Sequence, residues 1–377
     1  MFAPTPPLES LRTVLSLAAT EVRNAIRHDR RPDSPRRTQV SFIDIARAYF
    51  CAKTNPDDPT FVELPAEDPD SGSMVGKLLR HMYGTRAAAD GWHSEYASTL
   101  VDDLGFSIGD SSACVFHHAE RGLRCSVHGD DITTCGPKDH LDWFKQELSK
   151  YYELTEAHRL GPRPDDDKEA RVLNRIVKWT EHGIEYEADP RQAEKLIRDL
   201  KFDAGVKTVV TPGVKLTREQ LDADQPLPNS KISPYRAVVA RGNYLSADRP
   251  DVQYASKEVC RWMSAPTESS LQALKRLVRY LKGHQRMVYK YPWQAVDTID
   301  VYSDTDWAGC IRTRKSTSGG CVMLGKHLIK SWSSTQAAIS LSSGEAEFYG
   351  VVKAAGVGLG YGSLLSDVGV VLPLHKV

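Results

Sequence analysis

Cysteine pairs, long apolar runs and a leader peptide are all missing from this sequence, and each absence excludes a class of protein. The seven cysteines are scattered without a Cys-x-x-Cys pair, so the sequence predicts neither a zinc site nor a disulfide framework and fits a reducing interior. No run of eighteen apolar residues occurs, and we expect no transmembrane helix. The N-terminus lacks a basic region followed by an apolar core, so no secretory signal is expected. These absences predict an intracellular protein of the cytoplasm or nucleus with no membrane attachment.

The chain also lacks an excess of either charge. Its 377 residues carry 49 basic and 49 acidic side chains, and 41% of the residues are hydrophobic. That length is enough for two or three compact domains. A protein that binds nucleic acid gains affinity from positive surface, so this chain would have to segregate its charges. One basic cluster lies between residues 23 and 37. Because Pro and Asp residues interrupt it, we expect a solvated, partly disordered loop.

Two adjacent aspartates are the most informative feature that is present. Asp130 and Asp131 lie between two runs of strand-forming residues, 123–128 and 132–136, which predicts a tight β-hairpin with the pair at its tip. Neighbouring carboxylates repel each other unless a positive charge lies beside them, and Mg²⁺ prefers hard oxygen ligands of this kind. An ordinary Asp-containing turn explains the pair equally well, so the hairpin alone leaves both interpretations open.

A third carboxylate favours the metal interpretation. Asp44 follows a strand-like run, 39–43, and precedes a short helical stretch that contains Tyr49. This Asp-x-x-x-Ala-Tyr pattern, followed by an Asp-Asp hairpin, resembles the palm of a reverse transcriptase. Further motifs in the same order resemble the Pol proteins of copia-type LTR retrotransposons and cover nearly the whole chain. These motifs are 82–92, Leu104-Gly105-Phe106, Asp110, Val115-Phe116, 235–245, Arg249-Pro250-Asp251, 274–283, 302–309 and 342–348.

The resemblance implies RNA-directed DNA polymerase activity with nucleotidyl transfer to a primer 3′-hydroxyl. In it, Asp44, Asp130 and Asp131 are the catalytic aspartates that hold two Mg²⁺ ions, with Mn²⁺ as a substitute. The backbone carbonyl of Ile45 adds a further metal ligand. The implied partners are an RNA template, a DNA primer or RNA–DNA hybrid, and dNTPs, whereas the oligomeric state is left open.

The same resemblance assigns nucleotide binding to Tyr49, Gly84 and Arg86. Tyr49 matches the ring that closes against the sugar and screens out ribose. Two residues depart from the family pattern, because His128 replaces a Tyr and Gly129 replaces a larger residue. His can titrate near neutral pH, and Gly adds backbone freedom to the turn. We expect these changes to impair metal binding without abolishing it.

The resemblance also implies an α+β fold in three parts. Residues 1–157 are predicted to form partial fingers and a polymerase palm-like antiparallel sheet with helices. Residues 158–297 are predicted to form a helical thumb and connection, and residues 298–377 a truncated ribonuclease H-like α/β domain.

Within these parts the apolar spacing predicts helices over residues 8–25, 137–152, 190–200 and 233–283. A second aspartate pair, Asp102 and Asp103, is predicted to end a helix at Gly105 and to face solvent. The predicted core of the long helical region consists of Tyr244, Leu245, Val259, Trp262, Leu274, Leu277 and Leu281.

In the last part the resemblance matches Asp304 to the first catalytic aspartate of ribonuclease H and Glu347 to its helical glutamate. Ribonuclease H activity needs about four carboxylates around two metals, and the chain stops at Val377, within the strand expected to precede the third. We therefore expect no ribonuclease H activity. A hairpin is predicted through Gly319-Gly320. The final helix is predicted to fray, because each Gly costs about 1 kcal/mol relative to Ala. Four of its glycines are clustered: Gly356, Gly358, Gly360 and Gly362.

Two alternatives to catalysis stay open. One is an inactive retroelement remnant, which the missing finger strands, the truncated last domain and the Gly-rich helix favour. The other is a module that binds RNA–DNA hybrid without performing chemistry. The intact set of three carboxylates argues for catalysis.

Overall fold

The structure is a computed structural model that describes residues 5–22, 38–202 and 205–376. Helices and sheets alternate along these residues, and the predicted α+β class is confirmed. The basic cluster between residues 23 and 37 lies outside the described residues. None of the described helices is long and apolar enough to cross a membrane.

The chain forms two compact units. The first comprises residues up to Ala170 together with Gly362–Leu372, and the second comprises Arg171–Tyr361 together with the residues from Pro373 onward. The domain boundaries predicted at residues 157 and 297 stay predictions.

The first unit is built around a six-stranded antiparallel sheet with the strand order β5-β6-β7-β8-β2-β9. A separate hairpin, β3-β4, belongs to the same unit. Its helices are α1 (Leu8–Ala18), α2 (Ala48–Cys51), α3 (Ala88–Ser98) and α4 (Lys138–Leu148). Its strands are β1 (Thr20–Val22), β2 (Thr38–Ile45), β3 (Phe61–Glu63), β4 (Val75–Lys77), β5 (Ser107–Ile108), β6 (Val115–His118), β7 (Leu123–His128), β8 (Asp131–Pro137) and β9 (Leu154–Leu160).

Sequence patterns account for most of this unit. The predicted helix after Pro137 is confirmed as α4, and its apolar stripe of Leu141, Phe144 and Leu148 is fully buried. Asp103 ends a short π-helical turn, Thr99–Asp103, before Gly105 with φ +72°. The pair Asp102 and Asp103 is exposed there, as predicted.

The first helix is shorter than predicted. It ends at Ala18 instead of continuing to residue 25, and strand β1 begins at Thr20. The Thr20 hydroxyl donates to the carbonyl of Ser16 at 2.6 Å. This bond engages the acceptor that the next helical turn would use, a form of competition typical of Thr side chains.

The second unit contains two four-stranded sheets, with the orders β10-β11-β12-β13 and β17-β16-β15-β18. Its helices are α5 (Pro190–Asp199), α6 (Arg218–Asp222), α7 (Asn229–Ser246), α8 (Pro250–Cys260), α9 (Glu268–Gly283) and α10 (Ser343–Asp367), of which α10 ends in residues of the first unit. Its strands are β10 (Glu169–Val172), β11 (Arg175–Thr180), β12 (Gly183–Glu187), β13 (Val288–Pro292), β14 (Gln294–Val296), β15 (Ile299–Asp306), β16 (Thr317–Leu324), β17 (His327–Thr335) and β18 (Leu374–Lys376).

The helical core of the second unit largely follows the predicted apolar residues. Leu245, Val259, Leu274, Leu277 and Leu281 are buried, and Trp262 packs against them. Tyr244 was predicted to join this core, but that prediction is wrong because the side chain is 52% exposed. Tyr244 and Leu245 are adjacent on α7, so they are about 100° apart around the helix, and Leu245 takes the inward place.

A buried ion pair ties the β10–β13 sheet to the start of α8. Asp248 is 3% exposed and accepts from Arg175 Nη2 at 2.7 Å. The hydroxyl of Tyr186 donates to the other carboxylate oxygen at 2.7 Å, and that of Tyr289 donates to the Asp248 carbonyl at 3.0 Å. Because its partners surround the carboxylate, the charge is compensated inside the protein.

Two predictions about glycines near the C-terminus are wrong. Gly319 and Gly320 lie inside strand β16, not in a turn, and pair with Asp304 and Ser303 of β15. The Gly-rich helix does not fray, because α10 is continuous from Ser343 to Asp367. Its glycines include Gly358, where a Cβ atom would come within 2.9 Å of side chains on β15 and β18. Close packing of the helix on the sheet therefore compensates for low helix propensity.

Candidate active site

The predicted hairpin at residues 123–137 is confirmed. Strands β7 and β8 pair with His128 opposite Asp131, and the turn between them consists of Gly129 and Asp130. Gly129 has φ +66°, a conformation that suits glycine. The buried indole of Trp92 donates to the Gly129 carbonyl at 2.8 Å. This bond from α3 restrains the turn that Gly129 was expected to loosen.

The sheet register brings the three predicted aspartates to one end of the sheet. Asp44 lies near the end of β2, directly opposite Asp131 of β8. The backbone N–H of Ile45 donates to the carbonyl of Asp130 at 3.1 Å. Residues opposed across an antiparallel pair have Cβ atoms about 4.5–5.5 Å apart. All three carboxylates are half-buried, so their mutual repulsion is only partly relieved by water.

The carboxylate of Asp44 has a hydrogen-bond partner within the chain. The hydroxyl of Thr155, on β9, donates to Oδ2 of Asp44 and also contacts the Asp44 carbonyl at 3.3 Å. No pattern in the sequence pointed to Thr155, because its contact depends on β9 pairing with β2. The side chain of Asp44 is thereby held on the β9 side.

The aspartates supply the kind of ligand atom that a metal site needs, but their side chains are not gathered as a metal site requires. Their oxygen atoms are of the kind that Mg²⁺ prefers, and Asp44 and Asp131 oppose each other across the sheet. Within the described ranges, however, no three His, Cys, Asp or Glu side chains are gathered closely enough to hold a metal ion. Ile45 contributes only backbone atoms there, since its side chain is buried.

The predicted nucleotide-binding residues lie on two neighbouring segments. Tyr49 belongs to α2 and is half-buried, whereas Gly84 and Arg86 are exposed in the segment before α3. Between them the structure places Tyr83, a residue that the sequence analysis did not assign to the site. The ring centroids of Tyr49 and Tyr83 are 4.4 Å apart. Partial burial, followed by the nearby carboxylate of Asp130, raises the pKa of the Tyr83 hydroxyl.

The two predicted ribonuclease H residues lie on different sides of their sheet. A Cβ atom on Gly350 of α10 would lie 2.4 Å from Thr305, so Thr305 faces α10. Side chains alternate along a strand, which places Asp304 on the opposite face. There Asp304 lines a cavity of about 610 Å³ with Tyr254 of α8. Glu347 is exposed on α10, so the sheet does not bring this pair together.

Relatives match this chain from end to end. The retrovirus-related Pol polyprotein from transposon RE1 of Arabidopsis thaliana is 29% identical over 98% of this chain and 23% of its own length. The corresponding protein of transposon RE2, from the same plant, is 28% identical over 98% of this chain and 24% of its own length. That of transposon TNT 1-94, from Nicotiana tabacum, is 24% identical over 92% of this chain and 25% of its own length.

The chain thus spans about a quarter of the length of these relatives. No protein-family model matches it. Since transposon Pol polyproteins align with nearly every part of the sequence, the chain is a homologue of the retrovirus-related Pol polyproteins of copia-type transposons.

Proposed function

We propose that this chain carries the palm of an RNA-directed DNA polymerase and transfers nucleotides to a primer 3′-hydroxyl. The observation that supports the proposal is the strand register that sets Asp44 opposite Asp131, with Asp130 in the adjoining turn. The register brings these carboxylates to one end of a sheet, and their oxygen atoms are of the kind that divalent cations prefer. The proposed substrates are an RNA template, a DNA primer and dNTPs.

Each residue of the site has a chemical task under this proposal. Asp44, Asp130 and Asp131, with the Ile45 carbonyl, would hold Mg²⁺ or Mn²⁺, which would supply charge stabilisation and activation of the primer hydroxyl. Asp44 accepts a hydrogen bond from the Thr155 hydroxyl, and metal binding would require Asp44 to break or share that bond. The hydrogen bond from Trp92 to the Gly129 carbonyl restrains the turn that carries Asp130.

The nucleotide would lie against the aromatic segment beside these carboxylates. Tyr49, which is half-buried, would contact the sugar and screen out ribose, as the resemblance implies. Gly84 has no atom within 4 Å of the position where a Cβ would lie, and φ +87°. This backbone therefore presents an open strip, and with the exposed cation of Arg86 it is suited to lie beneath a base pair.

Primer extension on an RNA template tests the proposal. The full chain is incubated with an annealed DNA primer, dNTPs and Mg²⁺ or Mn²⁺, beside an Asp130→Asn variant. Incorporation by the wild-type chain that Asp130→Asn abolishes would support the polymerase. The matched control is Asp103→Asn, which removes a carboxylate from an exposed aspartate at the end of a helical turn. Equal losses in both variants, or no incorporation by any of them, would refute it.

A second candidate function is binding of RNA–DNA hybrid without chemistry. It is favoured by the fact that no three metal-ligating side chains are gathered among the described residues. Binding through phosphate contacts weakens steeply with salt. Hybrid binding that falls with salt, combined with no incorporation and no effect of Asp130→Asn, would identify this function.

We also propose that the chain has no ribonuclease H activity. Asp304 and Glu347 lie on different sides of the sheet, so they do not share a metal position. The test is degradation of the RNA strand of a labelled RNA–DNA hybrid with Mg²⁺ or Mn²⁺. RNA cleavage that Asp304→Asn abolishes would show that this conclusion is wrong.

A further inference from the structure

We infer that Tyr83 is a positioning residue for sugar discrimination, and that it acts by bracing the ring of Tyr49. The inference rests on the proposed function, since it assigns a role within the same nucleotide site. It adds a residue that lies 34 positions from Tyr49 in sequence and that the sequence analysis left unassigned.

The first argument is the geometry of the rings. Tyr83 lies with its ring centroid 4.4 Å from that of Tyr49, at an interplanar angle of 40°, and 5.8 Å from that of Phe50 in an edge arrangement. Aromatic pairs at such distances attract each other beyond the effect of burial. Tyr83 and Phe50 are 45% and 42% exposed. The rings of Tyr83 and Phe50 thus lie at the surface, where core packing does not require them, whereas Tyr49 also packs against the buried core.

The second argument is that the backbone fixes both rings relative to each other. The N–H of His81 donates to the carbonyl of Ala52 at 3.0 Å, and the N–H of Ala52 donates to the carbonyl of Tyr49 at 3.3 Å. Arg80 adds a hydrogen bond of 2.6 Å from Nη1 to the carbonyl of Cys51. The segment that carries Tyr83 is therefore fastened to the end of the helix that carries Tyr49.

A tight turn then directs the Tyr83 side chain. The N–H of Thr85 donates to the Met82 carbonyl at 3.1 Å, and Gly84 supplies the positive φ of the turn. Behind it the imidazole of His81 fills the space beside Gly91, where a Cβ would lie only 2.1 Å from Nε2. Because the His81 side chain is buried, the turn has little freedom to move Tyr83 away from Tyr49.

The third argument is electrostatic. Burial is the largest cause of the raised pKa of the Tyr83 hydroxyl. The carboxylate of Asp130 raises it further, and that of Asp44 also contributes. Tyr83 is thus close enough to the predicted metal ligands to sense their charge. The Tyr83 ring therefore lies beside both parts of the proposed nucleotide site, which are Tyr49 and the carboxylates.

The consequence concerns the freedom of Tyr49. With Tyr83 in place, the Tyr49 ring has a neighbour that opposes rotation away from the sugar. Without it, Tyr49 gains rotamers that open space for a 2′-hydroxyl. An aromatic contact of this kind changes an equilibrium about two- to tenfold, and we expect the preference for deoxynucleotides to fall by that factor.

Equilibrium binding of dATP and ATP tests the inference. Isothermal titration of the full chain, with Mg²⁺ and no primer, gives the ratio of the two dissociation constants without bond formation. We expect Tyr83→Ala to lower the preference for dATP about two- to tenfold, and Tyr83→Phe, which keeps the ring, to restore it. Tyr83→Leu repeats the test if the Ala variant does not fold. The matched control is Tyr244→Ala, which removes another half-exposed tyrosine.

A double-variant cycle separates bracing from an independent contact. If Tyr83 acts through Tyr49, Tyr83→Ala should change the preference little once Tyr49 is already Ala. Additive losses, or an unchanged preference in Tyr83→Ala, would overturn the inference. Incorporation measured in parallel distinguishes the two proposals. If the preference for dATP over ATP depends on Tyr83 but no nucleotide is incorporated, the polymerase proposal is refuted and the role of Tyr83 is kept. If nucleotides are incorporated but Tyr83→Ala leaves the preference unchanged, the role of Tyr83 is refuted and the polymerase proposal is kept. A wild-type chain that binds neither nucleotide refutes both.

Discussion

Two glycines of α10 that differ only in their surroundings give the sharpest test of how this helix packs. A Cβ on Gly350 would lie 2.4 Å from Cγ2 of Thr305, whereas a Cβ on Gly356 would meet no atom within 4 Å. Both residues are inside the helix. Replacement of either by Ala gains about 1 kcal/mol of helix propensity, so any difference between the two variants reports the contact with the sheet.

The expected difference follows from the stiffness of that contact. Thr305 is β-branched, so its χ1 is restricted, and it lies in strand β15, where it pairs with Ser318 of β16. Overpacking at such a site costs about 1–3 kcal/mol. After the gain of about 1 kcal/mol in propensity, Gly350→Ala should lower the free energy of unfolding by about 0–2 kcal/mol. Gly356→Ala should raise it by about 1 kcal/mol.

Urea unfolding followed by circular dichroism measures this difference. With a slope of about 2 kcal/mol per molar urea, a gap of about 1–3 kcal/mol separates the two midpoints by about 0.5–1.5 M. The slope itself should not change. If both variants raise the midpoint equally, α10 does not lie against Thr305. If Gly356→Ala gives no increase, the helix is not formed at that residue, and the frayed helix expected from its composition would be correct.

Three further predictions concern buried or paired groups. Asp248→Asn should lower the free energy of unfolding by about 3–5 kcal/mol in urea melts, because it leaves the buried Arg175 uncompensated. Burial lowers the pKa of His327 to about 4, below its unfolded value, so the neutral ring favours folding. We expect about 3 kcal/mol of stability to be lost as the pH falls from about 6.5 to 4, and His327→Gln should remove that slope. Burial raises the pKa of the Cys310 thiol, but Thr313 and Arg261 stabilise the thiolate, and the net result is a lowered pKa. Iodoacetamide should therefore label Cys310 more slowly in Arg261→Met, as peptide mass spectrometry would show.

Local patterns in the sequence were sufficient wherever neighbouring residues decide the structure. The alternation on both sides of Asp130 predicted β7 and β8, and the apolar spacing at Leu141, Phe144 and Leu148 predicted α4. Both signals depend on residues within one element. The three aspartates could also be grouped from the sequence, because the resemblance supplied the pairing of distant strands.

The predictions failed where contacts between distant segments decide the structure. Helix propensity alone predicted that the glycines would disrupt α10, but Gly358 allows close approach to β15 and β18. Tyr244 fits an apolar pattern, yet its neighbour Leu245 occupies the core. In the site, Thr155 and Tyr83 were missed for the same reason. Each acquires its role from a partner more than thirty residues away, and no local pattern records such a partner.

The first unit has a further property that follows from its interrupted sequence. Its last segment, Gly362–Leu372, follows 191 residues that belong to the other unit. The carboxylate of Asp367 accepts from the backbone N–H groups of Asp110 and Ser111 at 3.1 and 3.0 Å, and Arg124 Nε donates to the carbonyl of Val368 at 3.0 Å. During synthesis these contacts cannot form until Gly362–Leu372 has left the ribosome. The unit that holds the proposed catalytic aspartates is therefore completed only after all of Arg171–Tyr361, which belongs to the other unit, has been made.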